Sequence, residues 1–349
     1  MTSIVDYISA ERLKSYEKIL KISETEKQIL AYQWSKSVVS SLLPTMQCLE
    51  VTLRNAINHS VVSNPPRAGK FVVNDLWFED LAEYKTRKMQ HPKIKIVKKK
   101  LNKGTITQDK YDHDVNKIKE KNKSWEEREI LNIKRKIKKL KDIDASHSDI
   151  ISGLAFGFWT NLLSEQYFDI SEELLWPNLI STVFPNLPKE ITDLQNDEQL
   201  KIIEDKVNSF RDLRNRMFHH EPIWKFYNWN DGKLDYSDPV YGVNASLSIL
   251  SRVHNEMLTF IEWMSKERVE YLKKTKSINQ FSDLCSKDGL NSFISHDDID
   301  LSYTRTQAKR CKNKLIKDII DNGRMIRVTK NGETLALVGR GNIEALYLL

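Results

Sequence analysis

The sequence predicts a mainly α-helical fold closed by a small α+β appendage, and three observations carry that reading. Apolar residues recur at spacings of three and four over several long stretches. Gly (11) and Pro (9) are scarce among 349 residues, which argues against an all-β sandwich. The strongest hairpin signal, Asn331-Gly332, stands near the C-terminal end. The length gives a prior of roughly two domains. With 40% apolar and 30% charged residues, the composition is that of a soluble globular protein with ample core material. No apolar run approaches the roughly 18–20 residues of a membrane span, and Met1–Glu11 is too polar for a secretory signal. The three cysteines, Cys48, Cys285 and Cys311, lack C-x-x-C spacing. That excludes a disulfide scaffold and a Cys-based zinc site, and it points to a reducing cytoplasm.

Each element follows from local chemistry. Ser23-x-x-Glu26 has the form of a capping box and opens a helical run that Pro44 is expected to stop. Beyond it, Met46, Leu49, Leu53, Ile57 and Val61 mark an amphipathic helix ending before Asn64-Pro65-Pro66. Residues 1–84 thus read as the N-terminal helical half of a bundle. Helices are expected around 78–100 and 108–141, within an insertion spanning 85–145. Ser146-x-x-Asp149 is suited to cap the next helix, where Gly153 and Gly157 stand one turn apart and permit close helix packing. Pro177, Pro185 and Pro188 mark a loop-rich passage. Leu200–Phe218 reads as helix ended by Pro222, and Asn244–Lys274 as a long helix with a stripe through Leu250, Met257 and Ile261. These complete a helical domain over 146–274. The polar stretch 275–300 reads as an irregular linker. In the appendage, 301–349, a two-residue turn would pair Lys330 with Glu333, Val328 with Leu335 and Ile326 with Leu337. An isolated hairpin is marginal, so it is expected to pack on a helix from about Thr306 to Ile320.

The charge is concentrated. Between Lys85 and Lys141, 21 Lys and Arg face 7 Asp and Glu, a surplus of 14 on a chain of net charge +7. Everything outside that segment therefore sums to −7. The densest runs hold Lys93, Lys95, Lys98, Lys99 and Lys100, then Lys134, Arg135, Lys136, Lys138 and Lys139, with Tyr111 and Trp125 nearby. A concentrated positive field fits a polyanion, because each neutralised phosphate releases counterions. Nucleic acid is the favoured partner over a solvated lysine-rich face. A membrane surface fits less well, since no helix with a large aromatic face accompanies the charges.

Common catalytic signatures are missing from the sequence. There is no H-E-x-x-H, zinc-spaced Cys/His set, P-loop, G-x-G-x-x-G or G-x-S-x-G, so no cofactor is indicated. What stands out is Arg211-Asp-Leu-Arg-Asn-Arg-Met-Phe-His-His-Glu-Pro-Ile-Trp224. Arginine offers a fixed cationic fork for phosphate oxygens, and histidine moves protons near neutral pH. Together they suit phosphodiester cleavage. Without a metal the nucleophile would be the adjacent 2′-hydroxyl, which points to RNA. On an ideal helix Arg214 and His219 stand about 140° apart; Pro222 is expected to fray or bend the helix at the His pair and bring a histidine round. The structural alternative is a helix end capped by Arg and His. A second grouping, Arg54, Asn55 and His59, repeats the spacing, and an ion pair from Arg54 to Glu50 would also account for its arginine.

These residues resemble a known family. Arg214-Asn-Arg-Met-Phe-His-His-Glu-Pro-Ile223 is similar to the signature of the Abi-like (abortive infection, AbiD/AbiF) proteins of the HEPN superfamily. Gly157–Leu163, Leu175–Leu179 and Val183–Asn186 are similar to that family's upstream run, and Leu49–Asn55 fits its N-terminal half. The resemblance covers roughly residues 20–270. It implies a HEPN-type helical bundle and a metal-independent endoribonuclease leaving a 2′,3′-cyclic phosphate. Arg214 would hold the scissile phosphate, His219 or His220 would be the acid/base, and Asn215 would orient one of them. Such sites are usually composite. Arg54, Asn55 and His59 would then form a second half-site within the chain, or a homodimer would supply one. The resemblance further implies phage defence or a toxin–antitoxin role, kinship with type VI CRISPR nucleases, and a structured noncoding RNA that restrains the enzyme, gripped by the 85–141 segment. A non-catalytic RNA-binding regulator of the same fold is the alternative. The C-terminal hairpin is faintly similar to Phd-type antitoxin hairpins.

Overall fold

The computed structural model describes residues 4–64, 77–78, 81, 92–121, 123–169, 174–230, 233–294, 301–322, 326–339, 343 and 346–347. The first residues of the basic insertion, 85–91, lie outside the described residues. The chain opens with α1 (Ile4–Ile8), α2 (Ala10–Leu20) and the long α3 (Thr25–Ser63). Ser9 caps α2, its hydroxyl accepting from the Arg12 amide. Pro44 does not stop α3, which continues through it. The reason is burial on both sides of the proline: Trp34, Val38, Leu42, Met46, Leu49 and Leu53 are all fully buried at helical spacing. Each such side chain contributes about 1.5–3 kcal/mol, so together they exceed the roughly 3 kcal/mol cost of an interior proline.

The insertion holds α4 (Pro92–Asn102), α5 (Gln108–Lys121) and α6 (Trp125–Lys141). Helix α6 opens with a reciprocal capping box between Ser124 and Glu127 and closes at Asp142 in the left-handed region. Next come α7 (His147–Gly153), α8 (Phe156–Asn161), α9 (Ile180–Val183), α10 (Lys189–Thr192) and α11 (Asn196–Phe218). The Ser146–Asp149 capping box forms as its sequence predicts. Gly153 and Gly157 fall on two successive helices, with a break at Leu154–Ala155. Gly153 still serves packing, since a Cβ there would lie 3.2 Å from the Ile133 side chain on α6.

After α11 the chain makes a hairpin of β1 (Tyr227–Asn230) and β2 (Lys233–Pro239), then α12 (Val243–Met264), α13 (Lys266–Lys273), α14 (Lys276–Leu284) and α15 (Lys287–Ile294). The stretch 275–300, expected as an irregular linker, is instead helical through residue 294. Phe281, Cys285 and Leu290 are buried there. The α15 backbone comes so close to the end of α14 that a Cβ on Gly289 would lie 2.4 Å from the Asp283 carbonyl oxygen.

The appendage comprises β3 (Leu301–Thr304), α16 (Arg305–Arg310), α17 (Lys312–Asn322), β4 (Ile326–Lys330) and β5 (Glu333–Val338). Strand β3, unexpected from the sequence, runs parallel to β4, and β4 pairs antiparallel with β5. Asn331 and Gly332 both take positive φ, as this turn requires. Lys330 faces Glu333 as expected, but an irregularity between Val328 and Thr329 shifts the register beyond it. Val328 then opposes Ala336, and Ile326 opposes Val338. The shift turns Leu335 outward, where it is 48% exposed, and buries Val338. Ile326, Val328 and Val338 pack with Ala308, Leu315 and Ile319 of α16 and α17.

The chain divides into two compact units, one of Met1–Leu49, Leu213–Phe260 and Glu267–Leu349, the other of Glu50–Asp212 and Ile261–Lys266. In the first, Tyr16 and Trp34 pack against Trp224 at ring-centroid distances of 5.0 and 6.4 Å. The Trp34 indole N–H donates to the Leu284 carbonyl at 2.8 Å. His254 is buried there too, its Nε2 3.1 Å from the Thr45 hydroxyl and its ring on Phe281. In the second unit, Asn58 Oδ1 accepts from the Trp77 indole at 2.9 Å and lies 3.1 Å from His147 Nε2. Trp77 in turn touches Phe78 and Trp159.

Candidate active site

The Arg–His segment lies at the C-terminal end of α11. That helix stays regular past the expected bend: the His219 amide donates to the Asn215 carbonyl at 2.8 Å, an ordinary i→i−4 bond. His219 therefore remains about 140° round the helix from Arg214. The reversal comes one residue later, where His220 has φ 58°. The His220 amide donates to the Met217 carbonyl and the Glu221 amide to the Arg216 carbonyl. These two bonds make a Schellman cap with His220 in the left-handed position that glycine or asparagine usually fills. Directly after it, Ile223 and Trp224 are fully buried and plug the chain into the Tyr16–Trp34 core. His219, His220 and Asn215 are exposed, and among the described residues no hydrogen bond engages either imidazole.

The three arginines have different surroundings. Arg211, in the second unit, donates to the Thr160 hydroxyl at 2.9 Å and to Asn161 Oδ1 at 2.8 Å. Arg216 donates from Nη2 to the carbonyls of Pro222 and Lys225, the latter at 2.6 Å. Its Nε is 3.8 Å from Glu221, and its guanidinium also faces the Phe226 ring. It clamps the turn that follows the histidines. Arg214 lies over the ring of Phe218 at 4.3 Å, and that ring is 52% exposed. Of the three, Arg214 is the one at a solvent-facing ring beside the His pair.

Two further cations reach this turn, and the sequence reading missed both. Arg12 of α2 donates from Nη1 to the His220 carbonyl at 2.8 Å, and Lys36 of α3 donates to the same oxygen at 3.1 Å. Their nitrogens are therefore less than about 6 Å apart. Two unit charges at that separation repel by about 0.7 kcal/mol in water and about 3 kcal/mol at an effective dielectric of 20. Among the described residues neither pairs with a carboxylate. Burial, and then the Arg12 charge, lower the Lys36 ammonium from its ordinary pKa. Only the fold could signal this, because Arg12 and Lys36 are 208 and 184 residues from His220.

Comparison with protein-family models, curated proteins and solved structures returns no match. The likeness to the Abi-like family rests on the motifs quoted above.

The second grouping lies on α3 within the second unit. Arg54 is half-buried, its Nε donating to Asn55 Oδ1 at 3.3 Å, while Asn55 and His59 are exposed. In the basic segment, Lys93, Lys95, Lys98, Lys99 and Lys100 on α4 are all exposed, as are Arg135, Lys136, Lys138 and Lys139 on α6; Lys134 is half-buried. Ile130, Ile133 and Ile137 hold the other face of α6. Lys138 is 3.7 Å from Asp144, and Lys141 is 3.1 Å from Asp149. The β1–β2 hairpin, unexpected from the sequence, presents Trp229 (70% exposed) and Tyr236 (73%). Tyr236 meets Tyr227 edge-on, and the Lys225 ammonium lies over the Tyr227 ring. Among the described residues no group of three His, Cys, Asp or Glu is placed to hold a metal ion. No helix among them is long and apolar enough to cross a membrane.

Proposed function

We propose that the chain is a HEPN-type endoribonuclease of a phage-defence or toxin–antitoxin system, held in check by a structured RNA. The observation that carries this reading is the pair of exposed imidazoles on a turn rigidly fixed by Arg216 and Trp224, with Arg214 beside it. One histidine removes the 2′-hydroxyl proton, and that oxygen attacks phosphorus. The bond to the 5′-oxygen breaks, and a second proton donor protonates the departing oxygen. The products are a 2′,3′-cyclic phosphate and a 5′-hydroxyl. Arg214 supplies the fixed positive charge for the phosphate oxygens. The lysines of α4 and α6 supply a sequence-independent grip on RNA, and Trp229 and Tyr236 offer rings for stacking unpaired bases. In the family that these motifs resemble such sites are usually composite, so a second motif, supplied by a second copy of the chain, would complete the site.

The angular separation of Arg214 and His219 favours the second reading, a non-catalytic RNA-binding regulator. One experiment separates them. Purified protein is incubated with total cellular RNA, and product ends are tested for cyclic phosphate. His219→Ala with His220→Ala should abolish cleavage while leaving the fold and RNA binding intact. A double variant as active as the parent, or a parent that binds but never cleaves, sinks the nuclease reading. Reversing Lys93, Lys95, Lys98, Lys99 and Lys100 to Glu should abolish binding under either reading.

A further inference from the structure

We propose that Arg12 and Lys36 form a phosphate-binding pair that grips the RNA backbone beside the His219–His220 turn. The inference rests on the RNA-directed reading above and extends it to two residues outside the Arg–His motif.

The argument begins with charge. Two cations converge on one neutral carbonyl, that of His220, with no carboxylate on either among the described residues. Like charges this close are held against their repulsion. A carbonyl oxygen has two lone pairs and accepts both donors, yet the two full positive charges gathered at it still repel each other. An anion carrying spread charge on several oxygens resolves the arrangement, and a phosphodiester is such an anion. Donor capacity agrees. A guanidinium has five N–H groups and an ammonium three, and the bonds to His220 use one of each. Lys36 is also half-buried, with its ammonium near the Tyr32 ring at 4.6 Å. A partly desolvated cation gains more from an incoming anion than a fully hydrated one does.

Placement gives the pair its meaning. Both residues bond the backbone of His220 itself, so a phosphate they hold lies at the same turn as the two imidazoles. They come from α2 and α3, whose Tyr16 and Trp34 pack on Trp224. The cations and the histidine turn are thus anchored in one core. The competing account is a structural one, in which Arg12 and Lys36 merely cap the end of α11.

The two accounts differ in what the variants do. The measurement is binding of a single-stranded RNA of mixed sequence, 2′-O-methylated throughout to prevent cleavage, across a range of salt concentrations. Arg12→Gln and Lys36→Gln are made singly, because the remaining cation still satisfies the His220 carbonyl and preserves the fold. Each should bind about tenfold more weakly. Each should also reduce the salt slope of log K by about 0.7, the value for one lost phosphate contact on a single strand. Arg12→Lys and Lys36→Arg should restore both. Thermal unfolding should move little in all four. Unchanged affinity and slope in folded Gln variants overturn the proposal, as does a parent chain with no measurable affinity. A parent that binds with these slopes yet never cleaves RNA supports the pair while sinking the nuclease reading, so the two failures are distinct.

Discussion

Arg214 and Arg216 stand two residues apart in different surroundings, and under the proposed nuclease reading a crossed pair of substitutions separates a phosphate-binding arginine from a structural one. Arg216→Ala removes the donor to the Pro222 and Lys225 carbonyls. Hydrogen bonds from a charged donor contribute about 1.5–3 kcal/mol each. Both leave one nitrogen of a side chain that is 25% exposed, so the pair is worth about 2–3 kcal/mol rather than twice a single bond. Arg214→Ala removes, with the rest of its contacts, the one to the exposed Phe218 ring, which by itself contributes about 0.5–1 kcal/mol. At about 2–4 °C per kcal/mol for a unit of 150–250 residues, Arg216→Ala should lower Tm by about 4–12 °C, whereas loss of the Arg214–Phe218 contact accounts for about 1–4 °C, so Arg214→Ala should be the milder of the two. Cleavage should follow the reverse order at permissive temperature. Arg214→Ala should lose about 10²-fold or more in kcat, the usual effect of removing one group that stabilises developing charge. The assay is calorimetric unfolding alongside cleavage of a labelled RNA. An Arg214→Ala protein as unstable as Arg216→Ala, or an Arg216→Ala protein with parental Tm, refutes the division of labour.

Two predictions concern the frame that holds the turn. Gly289→Ala places a methyl 2.4 and 2.5 Å from the Asp283 and Leu284 carbonyl oxygens; these are backbone atoms that yield little, so overpacking of about 1–3 kcal/mol should exceed the roughly 1 kcal/mol helix-propensity gain and lower the denaturation midpoint, whereas a raised midpoint counts against the close approach. Burial holds His254 neutral, with its pKa lowered to about 4, below the roughly 6.5 of an unfolded histidine. Its contribution is therefore complete above pH 6.5 and is lost as pH falls from there through about 4. That is on the order of 3 kcal/mol, and His254→Gln should flatten this part of the stability–pH curve measured by urea unfolding.

What the sequence revealed, and what it hid, divides along the reach of the interactions. The Asn331-Gly332 turn, the Ser146–Asp149 cap and the helix ending at Phe218 are short-range facts, and local spacing reads them correctly. Pro44 reads as a helix stop because its penalty is local, while the compensating burial of Trp34, Met46 and Leu49 is not. The supposed linker hid two helices for a similar reason. Its few apolar residues, Phe281, Cys285 and Leu290, find a core that the segment does not announce. The β5 register went astray by one residue through an irregularity that no residue type there advertises. The Arg–His motif was legible as a string, but which arginine clamps the turn and which lies over the exposed Phe218 ring was not.

That last distinction bears on how the motif would act. Because the His219 amide keeps its helical bond to Asn215, the helix never delivers His219 to the Arg214 side. A phosphate held by Arg214 therefore meets a histidine in one of two ways. His220, turned by its left-handed backbone, comes round to it, or a histidine from a second motif does. The single variants tell these apart. If His220 is the partner, His220→Ala abolishes cleavage and His219→Ala is tolerated. If the site is composite, His219→Ala also abolishes it, since His219 then serves the arginine of the other half. The Schellman cap makes one control available: His220→Gly relieves the positive φ, so it should leave the fold as stable as the parent or more so. Any activity lost in that variant is then lost from the imidazole and not from the turn.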